Sequence, residues 1–222
     1  MQTTSALYKQ LLSKQGHTKQ PRVIIDGVTY DYDNIISLST YGGAFNKFSV
    51  GNCASREIDL TIFPQGTIPK MAKMVVYVRL TDGVQYSEWI EKGTYFIDTR
   101  SIDERTGALT IHGYDSMLKA EQLWAGTINT KQTAVVSSIA SRIGVTVDSR
   151  TSLNTSYTVP SDDNYTMREV LGYIGACNAG NWVITDTNTL LLIKLGDIPA
   201  ETNFLVHDVG FSLLFGEVRI LV

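Results

Sequence analysis

Apolar and polar positions follow two different rhythms along the chain, and the change falls near residue 114. Before it, apolar residues recur at every second position. Glu57–Ile62 is the clearest case: Ile58, Leu60 and Ile62 share one face, and Glu57, Asp59 and Thr61 the other. Such alternation predicts a half-buried strand. Arg22–Ile25 and Val28–Tyr32 are β-rich runs around Asp26-Gly27, a dipeptide suited to a two-residue hairpin turn with positive φ at both positions. Ile35–Thr40, Val75–Leu80, Gln85–Ile90, Tyr95–Arg100 and Ala108–Gly113 complete a set of about eight strands, with Asp82-Gly83, Gly93 and Arg105-Thr106-Gly107 between the later ones. Gly42-Gly43 and Gly51-Asn52 punctuate a loop. Phe63–Lys73 contains Pro64, Gly66 and Pro69 and reads as a long connection. Many short strands joined by turns predict an antiparallel barrel or sandwich over residues 21–113.

Helical spacing appears at both ends of this region. Thr4 or Ser5 caps a short N-terminal helix within Thr4–Gln15, with Leu7, Leu11 and Leu12 on it and Gly16 after it; His17–Pro21 reads as a polar linker. Asp115 caps a short helix Ser116–Gln122. Gln132–Ile143 places Val136, Ile139, Ala140 and Ile143 on one face before Gly144. The next helix, Met167–Asn178, has Thr166 and Glu169 spaced as a capping box, Tyr165 and Val170 at the staple positions, an apolar face of Met167, Leu171 and Ile174, and Gly180 as its stop. Asn181–Thr185 and Thr189–Leu195 pair as a hairpin, and Phe211–Val222 is again strand-like, so that the chain stops inside an apolar run.

Composition narrows the function classes. Charged residues are only 18%, below the roughly 25% usual for soluble domains, which suits a surface that becomes covered in an assembly. The net charge is −3 with both signs interspersed, against the clustered Lys and Arg of a dedicated nucleic-acid binder. No run approaches the length of a membrane span, and no signal peptide precedes the first helix. The sequons at Asn154 and Asn164 therefore read as chance. Cys53 and Cys177 are expected to be reduced and buried.

No catalytic, cofactor or metal residues are expected. His17, His112 and His207 lie in a linker, a strand and a loop without metal-ligand spacing. The acidic clusters, Asp31 with Asp33 and Asp98 with Asp103 and Glu104, sit in turn-rich stretches where carboxylates are solvated. Nucleophile motifs and phosphate loops are absent, and Gly172-Tyr173-Ile174-Gly175 falls inside a helix, where it suits close packing on a sheet. Tyr86, Trp89, Tyr95 and Phe96 surround one hairpin and divide between core and interface, or between core and a sugar platform.

Several runs taken in order resemble a known family. Glu91–Arg100 (EKGTYFIDTR) followed by Gly107–Glu121 (GALTIHGYDSMLKAE) resembles the barrel-closing segment of phage tail and baseplate hub proteins, of the type found in prophages of Gram-positive bacteria. Ser49–Leu60 (SVGNCASREIDL) is similar to the family's Gly-rich turn into a long strand, and Tyr165–Ile174 with Gly180-Asn181-Trp182 to its helix-then-strand module. The resemblance implies a contractile-tail hub-like structural protein: a homotrimer in the assembled tail, whose tube-like barrels join the tail tube to a central spike or tail-tip protein, without cofactor or enzymatic activity. Members of the family continue into a second barrel, whereas this chain stops at Val222.

The combined expectation is a mainly β, α+β chain: an N-terminal helix and linker over residues 1–20, an antiparallel β-barrel over 21–125, and an α+β module over 126–222 that begins an incomplete second barrel. Glu57 and Asp59 are candidates for a tube lumen through which DNA passes without specific binding, since like charges repel. Pro64, Pro69, Met71 and Trp89 are candidates for subunit contacts. The competing expectations are a cell-wall-binding or cell-wall-degrading tail module, supported only by the aromatic hairpin, and a lone β-barrel with an unrelated ligand.

Overall fold

The computed structural model describes residues 3–42, 49–126, 130–160 and 164–195, with the backbone of 214–215 and 218–219. The helix α1 (Ala6–Ser13) starts at Ser5, whose side chain accepts the Tyr8 N–H. It is followed by β1 (Thr18–Ile25), β2 (Val28–Tyr30), β3 (Ile35–Tyr41), β4 (Glu57–Ile62), β5 (Lys73–Thr81), β6 (Ile90–Ile102) and β7 (Leu109–Asp115). These seven strands form one antiparallel sheet in the order β2-β1-β5-β6-β7-β4-β3. The sheet curls into a half-barrel that brings β1 toward β3. Its inner face holds one core: Val23, Ile25, Tyr30, Ile58, Leu60, Ile62, Met74, Val76, Ile97 and Ile111 are all essentially inaccessible to solvent. The period-two pattern thus leads to the antiparallel barrel expected of it, because only one face of each strand can be dry.

Local sequence explains most boundaries. Asp26 and Gly27 both take positive φ, 48° and 86°, as the hairpin turn between β1 and β2 demands. The expected linker His17–Pro21 is instead strand from Thr18 onward, paired with β5. β2 pairs only with Val23–Ile25, so Pro21 stands where β1 has a free edge and its missing N–H breaks no ladder. The two expected strands Gln85–Ile90 and Tyr95–Arg100 are also corrected. Residues 82–89 form a structured turn, and β6 runs unbroken through Gly93, which lies at a bulge where Lys92 has no partner on β5. Gly93 has φ 136°, and a Cβ there would lie 2.6 Å from Arg56 Nη2. A glycine that reads as a break is therefore a device for a bulge and a close approach. A 3-10 turn, Tyr32–Asn34, not visible in the patterning, joins β2 to β3.

The second half packs around its own core. The 3-10 turn Ser116–Glu121 starts at Asp115, as expected. A short pair, β8 (Thr130–Lys131) with β10 (Thr158–Val159), flanks α2 (Gln132–Ile143), which ends at a left-handed Gly144. β9 (Thr146–Val147) runs parallel to β12 (Thr189–Lys194), and β12 pairs antiparallel with β11 (Gly180–Ile184). α3 (Met167–Cys177) begins with a complete capping box of Thr166 and Glu169. It ends at Asn178, followed by Ala179 at φ 51°, so Gly180 opens β11 and is not the helix stop. Trp182 is fully buried and donates its indole N–H to Leu171 O at 2.6 Å. Gly175 makes room for that ring: a Cβ there would stand 3.1 Å from Trp182 Nε1. Of the expected terminal strand Phe211–Val222, only the antiparallel pair β13 (Leu214–Phe215) and β14 (Val218–Arg219) falls within the described residues; Gly43 and His207 fall outside them.

Candidate functional site

Four surfaces and one joint carry the groups to which function can attach. At the joint, residues 51–54, just before β4, run parallel along the free edge of β11: Trp182 N–H donates to Asn52 O at 2.8 Å, and Ala54 N–H to Trp182 O at 3.1 Å. Gly51 makes this approach feasible, since a Cβ there would lie 2.8 Å from Gly172 O. Arg168, on the first turn of α3, donates to Cys53 O at 2.6 Å, Ser55 Oγ at 2.8 Å and Met117 O at 3.1 Å, with the Glu121 carboxylate 2.5 Å from its Nε as an ion pair. Arg56 stacks near Tyr95, pairs with Asp186 and donates to Thr185 O at 3.1 Å. Asp115 lies beneath it with no solvent exposure, accepting the N–H groups of Arg56 at 2.9 Å and Met117 at 3.0 Å. Burial pushes its carboxyl up to about 6 despite those hydrogen bonds and the nearby guanidinium groups of Arg56 and Arg168. The first half of the chain is thus held to the second by charged groups at the ends of β4, β7, α3 and the β11–β12 turn.

The second feature is the outer face of β3, β4, β7 and β6. Glu57 and Asp59 both stand on it, opposite the core face, and both are half-exposed. Asp59 lies 2.7 Å from His112 Nδ1, and His112 makes an edge contact with Tyr114. Register places Ser37, Ser39, Thr61, Thr99, Ser101 and Thr110 on the same face. It is a hydroxyl-rich surface with carboxylates near one end.

The connection between β4 and β5 is less bare than its length suggests. Ile68 and Ala72 sink into the barrel core, Gln65 N–H donates to the Tyr30 hydroxyl at 3.2 Å, and Arg100 donates to Ile68 O. Pro64 is half-buried; Pro69 is exposed, and Met71 is 51% exposed at φ 57°.

The aromatic hairpin divides, but not by alternation alone, since the neighbours Tyr95 and Phe96 lie on opposite faces of β6. Both are nonetheless buried, whereas Trp89 is half-buried and Tyr86 exposed. Two arginines that sequence reasoning passed over join them. Arg22 lies 4.2 Å from the Trp89 ring centre, and Arg79 lies 4.5 Å from Trp89 and 4.3 Å from Tyr86. Arg22 and Tyr77, and Gln20 and Arg79, are register partners on β1 and β5, so both arginines share the outer face. An arginine at alternate positions beside an aromatic turn was the available signal. The turn itself is rigid: Asp82 accepts Val84 and Gln85 N–H groups at 3.0 and 2.8 Å and pairs with Lys14 at 2.6 Å, while Ser5 donates twice to Glu88. These bonds hold the Asp82 carboxyl well below the usual range.

A groove of about 850 Å³ lies beside α3, bounded by Trp124, Tyr157, Pro160, Tyr165, Tyr173 and Cys177. Cys177 is exposed there, which corrects the expectation that both cysteines are buried; Cys53 is half-covered, and desolvation pushes its thiol up to about 12. Both are free thiols. Asp31 pairs with Arg22 at 2.6 Å, and Asp103 closes its own turn through Arg105 and Thr106. His17 meets Lys14 O at 2.8 Å. Among the described residues no group of three His, Cys, Asp or Glu side chains is arranged to hold a metal, and no helix is long and apolar enough to cross a membrane.

No family model and no curated protein matches the chain. Solved structures do. The 43 kDa tail protein of prophage MuSo2 from Shewanella oneidensis aligns with a TM-score of 0.58 at 12% identity, covering 85% of this chain and 59% of that one. A tail protein from Neisseria meningitidis MC58 aligns at 0.55 and 14%, covering 78% and 51%. Prophage tail protein gp18 from Listeria monocytogenes EGD-e aligns at 0.51 and 12%, covering 85% and 55%. The chain spans little more than half the length of these structures. At such identities the likeness is one of backbone architecture: a curled antiparallel half-barrel followed by helices and a hairpin. This chain has a phage tail protein fold.

Proposed function

We propose that the chain is a structural component of a phage tail or phage-tail-like particle, a baseplate hub or tail-tip protein that joins the tail tube to the central spike. One observation carries the reading: an architecture spanning most of the chain is shared with three prophage or bacterial tail proteins. In this reading the chain is made in the bacterial host, resides in the virion tail and acts by assembly, not by catalysis. It takes its place as a homotrimer around the tail axis, with the 126–222 module as the beginning of a second barrel. The hydroxyl-rich outer face with Glu57 and Asp59 lines the lumen, where carboxylates repel passing DNA phosphates. Pro69 and Met71 of the exposed connection, with Pro64 at its base, meet the neighbouring subunit. The competing cell-wall module reading rests on the same hairpin, of which Tyr86 and Trp89 are stacked by arginines and Tyr95 and Phe96 are buried. A particle map of the assembled tail is the test. The expected result is three copies around the axis with Glu57 and Asp59 facing the channel; a position off the axis, or a lone copy with residues 63–72 bare, rejects it.

A further inference from the structure

We propose that the Arg22–Trp89–Arg79–Tyr86 stack is a docking site for a carboxylate-rich segment of another protein. The four side chains alternate cation and ring at 4.2 to 4.5 Å, a spacing at which each guanidinium lies against an aromatic ring. Only the Nε of each arginine is engaged, that of Arg22 by Asp31 and that of Arg79 by Gln20 at 2.9 Å; among the described residues their terminal amines make no hydrogen bond. Stacking therefore holds two planar forks in fixed orientation with their donor ends free. A fixed fork matches a carboxylate bidentately, which a flexible lysine cannot do.

Its surroundings favour a protein partner. Val84, 85% exposed, and Tyr86 supply apolar surface beside the charges, and tryptophan, tyrosine and arginine are the side chains that dominate binding energy at protein interfaces. The platform is also ordered in advance. The turn of residues 82–89 is tied to α1 through Asp82 with Lys14 and through Glu88 with Ser5, so little side-chain freedom remains to be lost on binding. The tail reading enters only as the source of the partner.

The test uses the full chain with fluorescent octaglutamate, octaglutamine and inorganic polyphosphate as probes. Octaglutamate should bind and octaglutamine should not. Arg79→Gln should weaken octaglutamate by about tenfold or more, and Arg79→Lys nearly as much, since charge is kept but the fork is lost. Lys131→Gln, on an exposed position of the second half, should change nothing. Tyr86→Ala, which removes a platform outside the core, gives an independent reading if Arg79→Gln fails to fold. Equal binding of the two peptides, equal binding by wild type and the Arg79 or Tyr86 variants, or preference for polyphosphate would overturn the proposal. In an assembled particle, a chain on the axis with this stack facing solvent would leave the tail reading standing and reject the docking site.

Discussion

Asp115 concentrates the opposing forces of the fold in one side chain. Its two backbone hydrogen bonds and the neighbouring guanidinium groups favour the carboxylate, yet complete burial outweighs them and raises its pKa to about 6. A folded-state value above the unfolded one means that the native protein takes up a proton between about pH 6 and 4. Stability from this group is therefore regained as pH falls through that window, by on the order of 3 kcal/mol in all. Asp148 and Asp82, held below the ordinary range by Arg150 and Lys14, lose their contributions only at lower pH and do not mask the effect. Urea unfolding at pH 7 and pH 5 should show wild type gaining stability relative to Asp115→Asn; parallel profiles would refute the assignment. Arg168 is the complementary case. Replacing it with Met strands two carbonyl groups, Cys53 O and Met117 O, and should cost about 2–4 kcal/mol, with Arg168→Lys recovering less than half. A loss under about 0.5 kcal/mol in thermal unfolding would show that the joint does not depend on it.

At the scale of elements, local signals and tertiary demands can be separated by substitution. The α3 cap is local: Thr166 accepts the Glu169 N–H, and Glu169 accepts that of Thr166, whatever packs nearby. Thr166→Ala should cost about 1 kcal/mol, read as a lower denaturation midpoint at unchanged slope. Gly93 answers to tertiary structure. Its φ of 136° is strained for any L side chain, and a Cβ would press on the Tyr95 ring at 2.9 Å as well as on Arg56, so Gly93→Val should destabilise by about 2 kcal/mol or more. If the valine variant is as stable as wild type, β6 is not constrained as described. The expected division of β6 into two strands arose from the same residue, because a glycine that permits a bulge is indistinguishable in sequence from one that ends a strand.

For the whole molecule, the decisive feature is that a segment just ahead of the barrel's β4 closes the core of the second half. Cys53 packs against the core of the second half although it precedes β4 of the barrel, and Arg56 reaches Asp186 across the same joint. Unfolding of the two halves should accordingly be coupled. In hydrogen exchange, Arg168→Met should raise exchange at Ala54 and Trp182, whose backbone bonds bridge the joint, before it affects Leu60 or Ile111 in the barrel centre. Equal acceleration everywhere would mean that the joint has no separate opening.

What the sequence by itself determined is what depends on neighbours within a few residues. These are the alternation of β4, the Asp26-Gly27 turn, the Asp115 and Thr166 caps, the face of α2 and the antiparallel barrel to which many short half-buried strands lead. Close packing at Gly172 and Gly175 was legible for the same reason, since the backbone approach it allows lies on one helix face. Only the tertiary structure decided which distant residues meet. The strand character of Thr18–Pro21 comes from pairing with β5, not from its polar side chains. The joint brings Arg56 to Asp186 and Arg168 to Cys53 across more than a hundred residues, and the cation stack needs Arg22, Arg79 and Trp89 from separate elements. Such contacts leave no local period or propensity behind, because they are selected by how the sheet curls and by which edge is left free for the next segment to cover.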